Sequence, residues 1–286
     1  MVRKRFGLFD VIIYLIIILM TLVTLYPILN VASISMSTVT SFLRNPMMAF
    51  PTELDFSAYT YLFNSRLMIQ SYWNTILITI VGTLFSLFLT ITLAYPLSRK
   101  SFMATPAITY MMVITMLING GLIPNFYLIR SLGMYNTIAA LIVPGSLSAF
   151  NVILLVNFFK SVPETLLEAA RIDGASEYQV LTRIMLPLST AIIATLTLFN
   201  AVGRWNSFFN AIIYIRDRNK WTLQLLLREM LMALGSPFRM PDDTTNVQPQ
   251  SVRYAAIVIT ALPIVMVYPF LQKYFAKGVM LGSVKE

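Results

Sequence analysis

The stretch KSVPETLLEAARIDGASEYQVLTRIMLP, residues 160–187, decides how this chain is read. Glu164, Glu168, Asp173 and Glu177 crowd into it, although all 286 residues supply only 12 acids. Ser161-Val162-Pro163-Glu164 has capping-box spacing, in which the serine hydroxyl accepts from an amide near Glu164 and the glutamate answers. Pro163 suits a first helical turn, where its missing N–H is no loss. The helix that follows places Glu164, Glu168, Arg171 and Ala175 near one line at 100° per residue. Gly174 supplies the left-handed residue that ends it, and Ser176 caps a second helix running into Ile184-Met185-Leu186-Pro187. The expectation is a helix–turn–helix over 161–178. Its acids sit on more than one side of the wheel, which argues against burial in lipid and for docking into a protein cleft. The plainer alternative is a linker lying on the membrane surface.

Working outward, the rest of the chain is apolar. Hydrophobic residues make up 57% and charged residues 12%, against about 25% charged in soluble proteins, and the mean hydropathy is +0.74. Crossing a bilayer takes about 20 mainly apolar residues. Runs of that kind occupy 11–33, 72–97, 103–129, 138–159, 184–215 and 255–275. The prediction is an all-α polytopic membrane protein, a single domain over 1–286 with six transmembrane helices. The first run is too long for the apolar core of a signal peptide and reads as a retained anchor. Arg3-Lys4-Arg5, Arg99-Lys100 and Lys273, Lys277 and Lys285 put both termini and the 161–178 segment in the cytoplasm. Residues 216–253 then form an external loop, with an amphipathic helix over 221–234 and a polar, proline-punctuated tract over 236–251.

Composition also excludes chemistry. Histidine and cysteine are absent, which removes the commonest general base, the commonest metal ligand and any disulfide. No metal site and no catalytic residue are expected. The net charge of +9 reads as cytoplasmic loop charge and not as a nucleic-acid surface, because no basic cluster is long enough. No GxxxxGK[ST] phosphate loop occurs in the chain, so any ATP-driven step draws on a partner.

The pattern Glu168-Ala169-Ala170, three residues, Gly174, nine residues, Ile184-x-Leu186-Pro187 resembles the signature loop of permeases in binding-protein-dependent ABC importers. Asn74-Thr75, Leu93-Ala94-Tyr95-Pro96-Leu97-Ser98-Arg99, Ser131-Leu132-Gly133-Met134-Tyr135-Asn136-Thr137, Trp205-Asn206-x-Phe208-Phe209 and Ala261-Leu262-Pro263 are similar to the maltose-type carbohydrate branch. Asn119-Gly120-Gly121-Leu122-Ile123-Pro124 and Leu147-Ser148-Ala149-Phe150-Asn151 are most similar to its oligosaccharide and polysaccharide subgroup. The resemblance covers residues 70–286. It implies a type I importer permease fold and a coupling segment built from Glu164, Glu168, Ala169, Ala170, Arg171, Asp173, Gly174 and Ala175. It also implies a tail at Lys277, Gly278 and Gly282 that reaches the ATPase pair. The implied partners are a second related permease, two ATPase subunits and an extracytoplasmic solute-binding protein in a bacterial inner membrane. ATP and magnesium would bind the ATPases, with no cofactor on this chain.

Candidates for the sugar pathway are Asn119, Asn151, Asn200, Arg204, Trp205 and Asn206, with Tyr95 behind them. Arg204 is the one charge deep inside an apolar run, and it either lines the path or snorkels to the outer boundary. Trp205 either stacks on a sugar ring or joins an interfacial aromatic belt. Arg204, together with Arg216, Arg218, Lys220, Arg228, Arg239 and Arg253, admits an acidic, uronate-containing solute such as alginate. Pairing with Asp217, Glu229, Asp242 and Asp243 is the competing account of those cations. An ion-gradient transporter is the rival function, but it would ordinarily place Asp, Glu or His inside the spans.

Overall fold

The structure is a computed structural model that describes residues 7–232 and 249–283, with the side chains of the last helix described over its first half. Arg3 to Arg5, Arg239, Asp242, Asp243 and Lys285 lie outside the described residues. The described chain is helical apart from loops and one isolated bridge, Ser37 to Leu54. In order it forms α1 (Leu8–Ser35), α2 (Val39–Arg44), α3 (Ser57–Asn64), α4 (Arg66–Leu97) and α5 (Thr105–Leu117). It continues with α6 (Leu122–Ser131), α7 (Ala139–Ile142), α8 (Ala149–Ser161), α9 (Glu164–Ile172) and α10 (Glu177–Val180). A π-turn over Leu181–Met185 leads into α11 (Leu186–Leu188), followed by α12 (Thr190–Trp205), α13 (Phe209–Tyr214), α14 (Leu223–Met232) and α15 (Pro249–Ser283).

The α1, α4 and Gln250–Val267 segments are each long and apolar enough to cross a membrane. Three more candidates are bent pairs, giving up to 6 spans if each pair counts as one. Helix breaks divide three of the apolar runs. The run over 103–129 is not continuous: α5 and α6 meet at 118°. Asn119-Gly120-Gly121 makes the turn, with Gly121 at φ 86°, a region that costs a side-chain-bearing residue about 1–2 kcal/mol. The run over 138–159 is broken between α7 and α8, where Pro144 offers no N–H and Gly145 takes φ 71°. The run over 184–215 is divided too, by an 81° bend between Glu177–Leu188 and α12 and again before α13. Apolar periodicity passes through all these breaks, so hydropathy alone cannot see them. At the far end the described part of α15 runs from Pro249, ahead of the expected 255. The amphipathic helix expected over 221–234 is α14, Leu223–Met232.

The chain divides into two compact units. One comprises Met1–Ile69 with Leu227–Leu262. Here the most apolar 18-residue window of α1 has 0% of its residues buried, a surface that lipid solvates and water does not. The end of α1 is strapped by the loop that follows it. Asn30 Nδ2 donates to the carbonyls of Pro46 (3.1 Å) and Met48 (2.9 Å), and Ser33 Oγ to that of Ala49 (2.7 Å).

The other unit comprises Gln70–Leu226 with Pro263–Glu286 and holds the sequence-predicted site residues. Two asparagines organise the loop from 214 to 223. Asn74 Nδ2 donates to the carbonyls of Asn219 (2.7 Å) and Trp221 (3.0 Å), and Thr75 Oγ1 accepts from the Leu223 amide (2.8 Å). Asn136 sits at φ 60°, and its Oδ1 accepts from the amides of Arg216 (3.0 Å) and Asp217 (2.9 Å). Its own amide donates to Tyr214 O (2.8 Å), and its carbonyl accepts from Lys220 Nζ (2.8 Å). The Asn-Thr pair and the Gly-Met-Tyr-Asn-Thr turn therefore have a physical reason: they satisfy backbone groups that no helix or sheet can serve.

Candidate functional site: a coupling segment and a pinned arginine

The candidate coupling segment over 161–178 is seated by its apolar side. Leu167 and Ala170 of α9 join a buried cluster with Leu97, Phe159, Val180 and Met185. Burying the leucine alone contributes about 2 kcal/mol. Gly174 at φ 83° ends the turn after α9. The Gly174 amide donates to Arg171 O (3.0 Å) and the Ala175 amide to Ala170 O (2.9 Å), so the last carbonyls of α9 are served. Ser176 and Gln179 form the capping box of α10. The box expected at Ser161 is not made. Ser161 Oγ donates back to Phe158 O (2.7 Å), and Pro163 stands in the cap position with no side-chain bond. Ala175 does not continue the line of Glu164, Glu168 and Arg171. The helix stops at Ile172, and Ala175 turns back to pack on the cluster.

One ion pair and one hydrogen bond tie the segment to the end of α4. Lys100 Nζ lies 2.6 Å from Glu164 Oε2, and this ammonium holds the Glu164 carboxyl below its usual range while Glu164 raises the pKa of Lys100. Glu177 accepts from Arg171 Nε (2.8 Å) and from the Tyr95 hydroxyl. The Arg171 bond first, and then the Tyr95 bond, lower the pKa of Glu177 against the opposing effect of burial. Arg99 lies over the Tyr95 ring, 4.9 Å from its centroid. Tyr95 therefore ties the end of α4 to the α9–α10 segment. Sequence reading missed Lys100 and Tyr95 as partners, because the pairs lie 64 and 82 residues apart.

The Glu177 tie has a defined pH window. A lowered carboxylate pKa contributes stability above the unfolded value, here 4.5, and loses it as pH falls through the lower folded value. The tie is thus complete at neutral pH. With no histidine in the chain, no side chain with an ordinary pKa changes charge across the physiological range. Glu177→Gln is expected to speed deuterium exchange of the amides around 171–180 by roughly threefold at pH 7, the scale of a half-exposed pair. The same exchange in Leu43→Gln should match the parent chain.

The face turned away from the cluster is open. Glu168, Ala169 and Asp173 are exposed, Ile172 is 86% exposed and Tyr178 is 75% exposed. A helix with one side anchored in the membrane unit and the other side mixing apolar and acidic groups can serve as a rigid plug for a partner's cleft.

The pathway candidates do not come together in one place. Asn119 Oδ1 accepts from the Gly121 amide (3.0 Å) inside its own turn. The Asn151 amide donates to Ser148 Oγ (3.4 Å) at the start of α8, and its side chain is half-buried. Asn206 accepts from Gln224 (3.2 Å). Trp205 is buried, edge-on to Tyr72 with ring centroids 5.8 Å apart, which places it in packing and not in an interfacial belt. Asn200 and Arg204 share the lining of a cavity of about 240 Å³ with Phe199, Ser207, Asn210 and Thr222. Asn200 Nδ2 is committed to Leu196 O (2.8 Å).

Arg204 neither snorkels nor points its donors into open space. Nη1 donates to the carbonyls of Leu141 and Ile142 (both 3.2 Å), and Nη2 to Ser86 Oγ (2.8 Å) and Ser146 Oγ (2.9 Å). The guanidinium lies against Gly82, where an added Cβ would sit 2.6 Å from Cζ. Among the described residues no acid pairs with it. Gly82, Ser86 and Ser146 escaped the sequence reading because small residues in an apolar run carry no signal of their own. Lys277, Gly278 and Gly282 lie on the helical backbone of α15, and their side chains are outside the described set.

Comparison with known proteins agrees with this architecture. Residues 100–281 match the family described as the binding-protein-dependent transport system inner membrane component. The chain is 38% identical over 281 residues to the polygalacturonan/rhamnogalacturonan transport system permease protein YtcP of Bacillus subtilis (strain 168), covering 97% of this chain and 98% of that protein. It is 42% identical over 265 residues to Protein LplC of the same strain, covering 92% and 90%. A solved bacterial ABC transporter involved in the import of the acidic polysaccharide alginate has a chain that superposes with a TM-score of 0.89 at 31% identity, covering 95% of this chain and 99% of that one. The chain therefore belongs to the inner-membrane components of binding-protein-dependent transport systems, and is a multi-pass permease subunit of an ABC importer.

Proposed function

We propose that this chain forms, with a second related permease, the membrane path of an importer for uronate-containing oligosaccharides or polysaccharide fragments. Two ATPase subunits supply the energy and bind the ATP and magnesium. An extracytoplasmic binding protein delivers the sugar to the outer loops, among them residues 216–253. The observation that carries the coupling half is the α9–α10 segment, anchored on Leu167 and Ala170 and open at Glu168, Ile172 and Asp173. Closure of the ATPases on ATP turns this segment as a rigid body and rocks the spans packed on it. The tail at Lys277, Gly278 and Gly282 makes a second contact with the ATPases.

Support for the substrate half comes from two relatives whose names specify polygalacturonan/rhamnogalacturonan and alginate, both substrates containing uronic acid. Arg204 does not add to that support, since Nη1 and Nη2 are engaged within the chain and Nε is buried. Arg216 and Arg218 are exposed, which leaves cationic surface for an acidic chain to meet. Uptake by the reconstituted importer tests the proposal. A labelled uronate oligomer should be taken up at least about tenfold better than a neutral glucan of equal length, and less so as salt rises. Equal or better uptake of the neutral glucan would reject the acidic substrate.

The orientation places both termini and α9 in the cytoplasm and residue 250 outside. Gln250 and Thr165 are both exposed, so Gln250→Cys and Thr165→Cys serve as probes. An impermeant maleimide added to spheroplasts should label the first and spare the second, and the reverse pattern would invert the topology.

A further inference from the structure

We infer that Arg204 is a positioning residue: it pins the break between α7 and α8 against α4 and thereby shapes the polar cavity beside it, without binding the transported solute itself. The break is what makes the acceptors. α7 ends at Ile142, and a helix end leaves its last carbonyls without intrahelical partners. Pro144 follows with no N–H to return a bond. Nη1 serves the carbonyls of Leu141 and Ile142, the second of which also accepts from the Ser146 hydroxyl, and Ser146, past the proline, is one of the two hydroxyls that Nη2 serves. The second hydroxyl, Ser86, belongs to α4 one turn beyond Gly82, the residue against which the guanidinium lies. One side chain from α12 thus joins α4, α7 and the residue that leads into α8.

The arrangement suits arginine and nothing smaller. A planar fork reaches four acceptors in separate directions, whereas an ammonium is a single point with three donors. Its Nε is buried and makes no hydrogen bond among the described residues, so a solute has no route to it. An ionised group inside a membrane segment is costly unless its surroundings replace water. Here carbonyls and hydroxyls do so in place of an acid. Nη1 and Nη2 thus engage the carbonyls and hydroxyls of the break and of α4, and the cavity of about 240 Å³ beside them is walled by Gly145 and Pro144 of that same break. This inference rests on the permease reading but not on the acidity of the solute.

The test compares Arg204→Lys, Gly82→Ala and the double variant Ser86→Ala/Ser146→Ala in the complete importer. Pinning predicts that all three lower the maximal uptake rate roughly five- to thirtyfold. The half-saturating concentration of loaded binding protein should stay within about twofold, and acidic and neutral sugars should suffer equally. Nitroxides placed through Leu84→Cys on α4 and Leu147→Cys in the break, both exposed positions, should show a broadened distance distribution in each variant. Should Gly82→Ala fail to insert, the serine double variant carries the same test with no added bulk. Restoration of parental uptake by Arg204→Lys, or a loss confined to acidic sugars, would overturn the inference and return Arg204 to solute binding. Failure of the parent importer to move any sugar would instead count against the proposed function.

Discussion

Leu167→Asp is expected to leave the chain inserted in the membrane while abolishing uptake and releasing the ATPases. Leu167 is 2% exposed, in a cluster with Leu97, Phe159 and Val180. The substitution forfeits about 2 kcal/mol of apolar burial and adds the cost of an unpaired carboxylate in an apolar site, several kcal/mol more. That total exceeds anything the exposed Lys100–Glu164 pair can offset. α9 therefore leaves its seat, although the spans it hangs from are unchanged. Glu168→Lys is the contrasting change, on the open face. It should keep α9 seated, with normal deuterium exchange around 165–172, and weaken the ATPases alone. Equal exchange in the two variants would show that α9 is not held by the Leu167 cluster.

The second large effect is expected at Asn136. Its left-handed backbone is costly for a β-branched residue, about 1–2 kcal/mol. Its carboxamide oxygen serves two amides, the part-buried one of Asp217 worth about 1–2 kcal/mol when orphaned and the exposed one of Arg216 about 1 kcal/mol. Asn136→Val should therefore destabilise the 214–223 loop by roughly 3–5 kcal/mol and lower the yield of folded chain. Asn136→Gly keeps the backbone and removes only the acceptor, so it should recover the first part of that loss. Thermal unfolding midpoints of the purified chain in detergent measure both. A valine variant as stable as the parent would mean that the Asn136 bonds do not hold the loop.

How much of this was legible depends on the residue. Gly174 and Ser176 announced themselves, because a left-handed glycine and a serine cap are local devices whose partners lie within five residues. The acids of 164–177 were legible as a surface because an apolar chain has no other use for them. The breaks at Asn119-Gly120-Gly121 and Pro144-Gly145 were not read, since the apolar run continues on both sides and hydropathy does not register direction. The Lys100–Glu164 and Tyr95–Glu177 ties join distant positions, and a single sequence holds no record of such pairing. Arg204 was correctly singled out, but its role turned on acceptors that residue types do not advertise: two backbone carbonyls exposed by a helix end. Asn119, Trp205 and Asn206 show the converse difficulty. Polar and aromatic residues in spans look like ligand groups, yet Asn119 bonds within its own turn, Trp205 packs on Tyr72 and Asn206 accepts from Gln224, contacts that residue type does not announce.

If the open face of α9 enters a cleft of an ATPase subunit, Ile172 is the position that reports it. It is 86% exposed, on the side away from the Leu167 cluster. A photoreactive amino acid at Ile172 in the assembled importer should, on irradiation, crosslink this chain to the ATPase, more strongly with ATP bound than without. Crosslinks to lipid or to the second permease, with none to the ATPase in either state, would contradict the account.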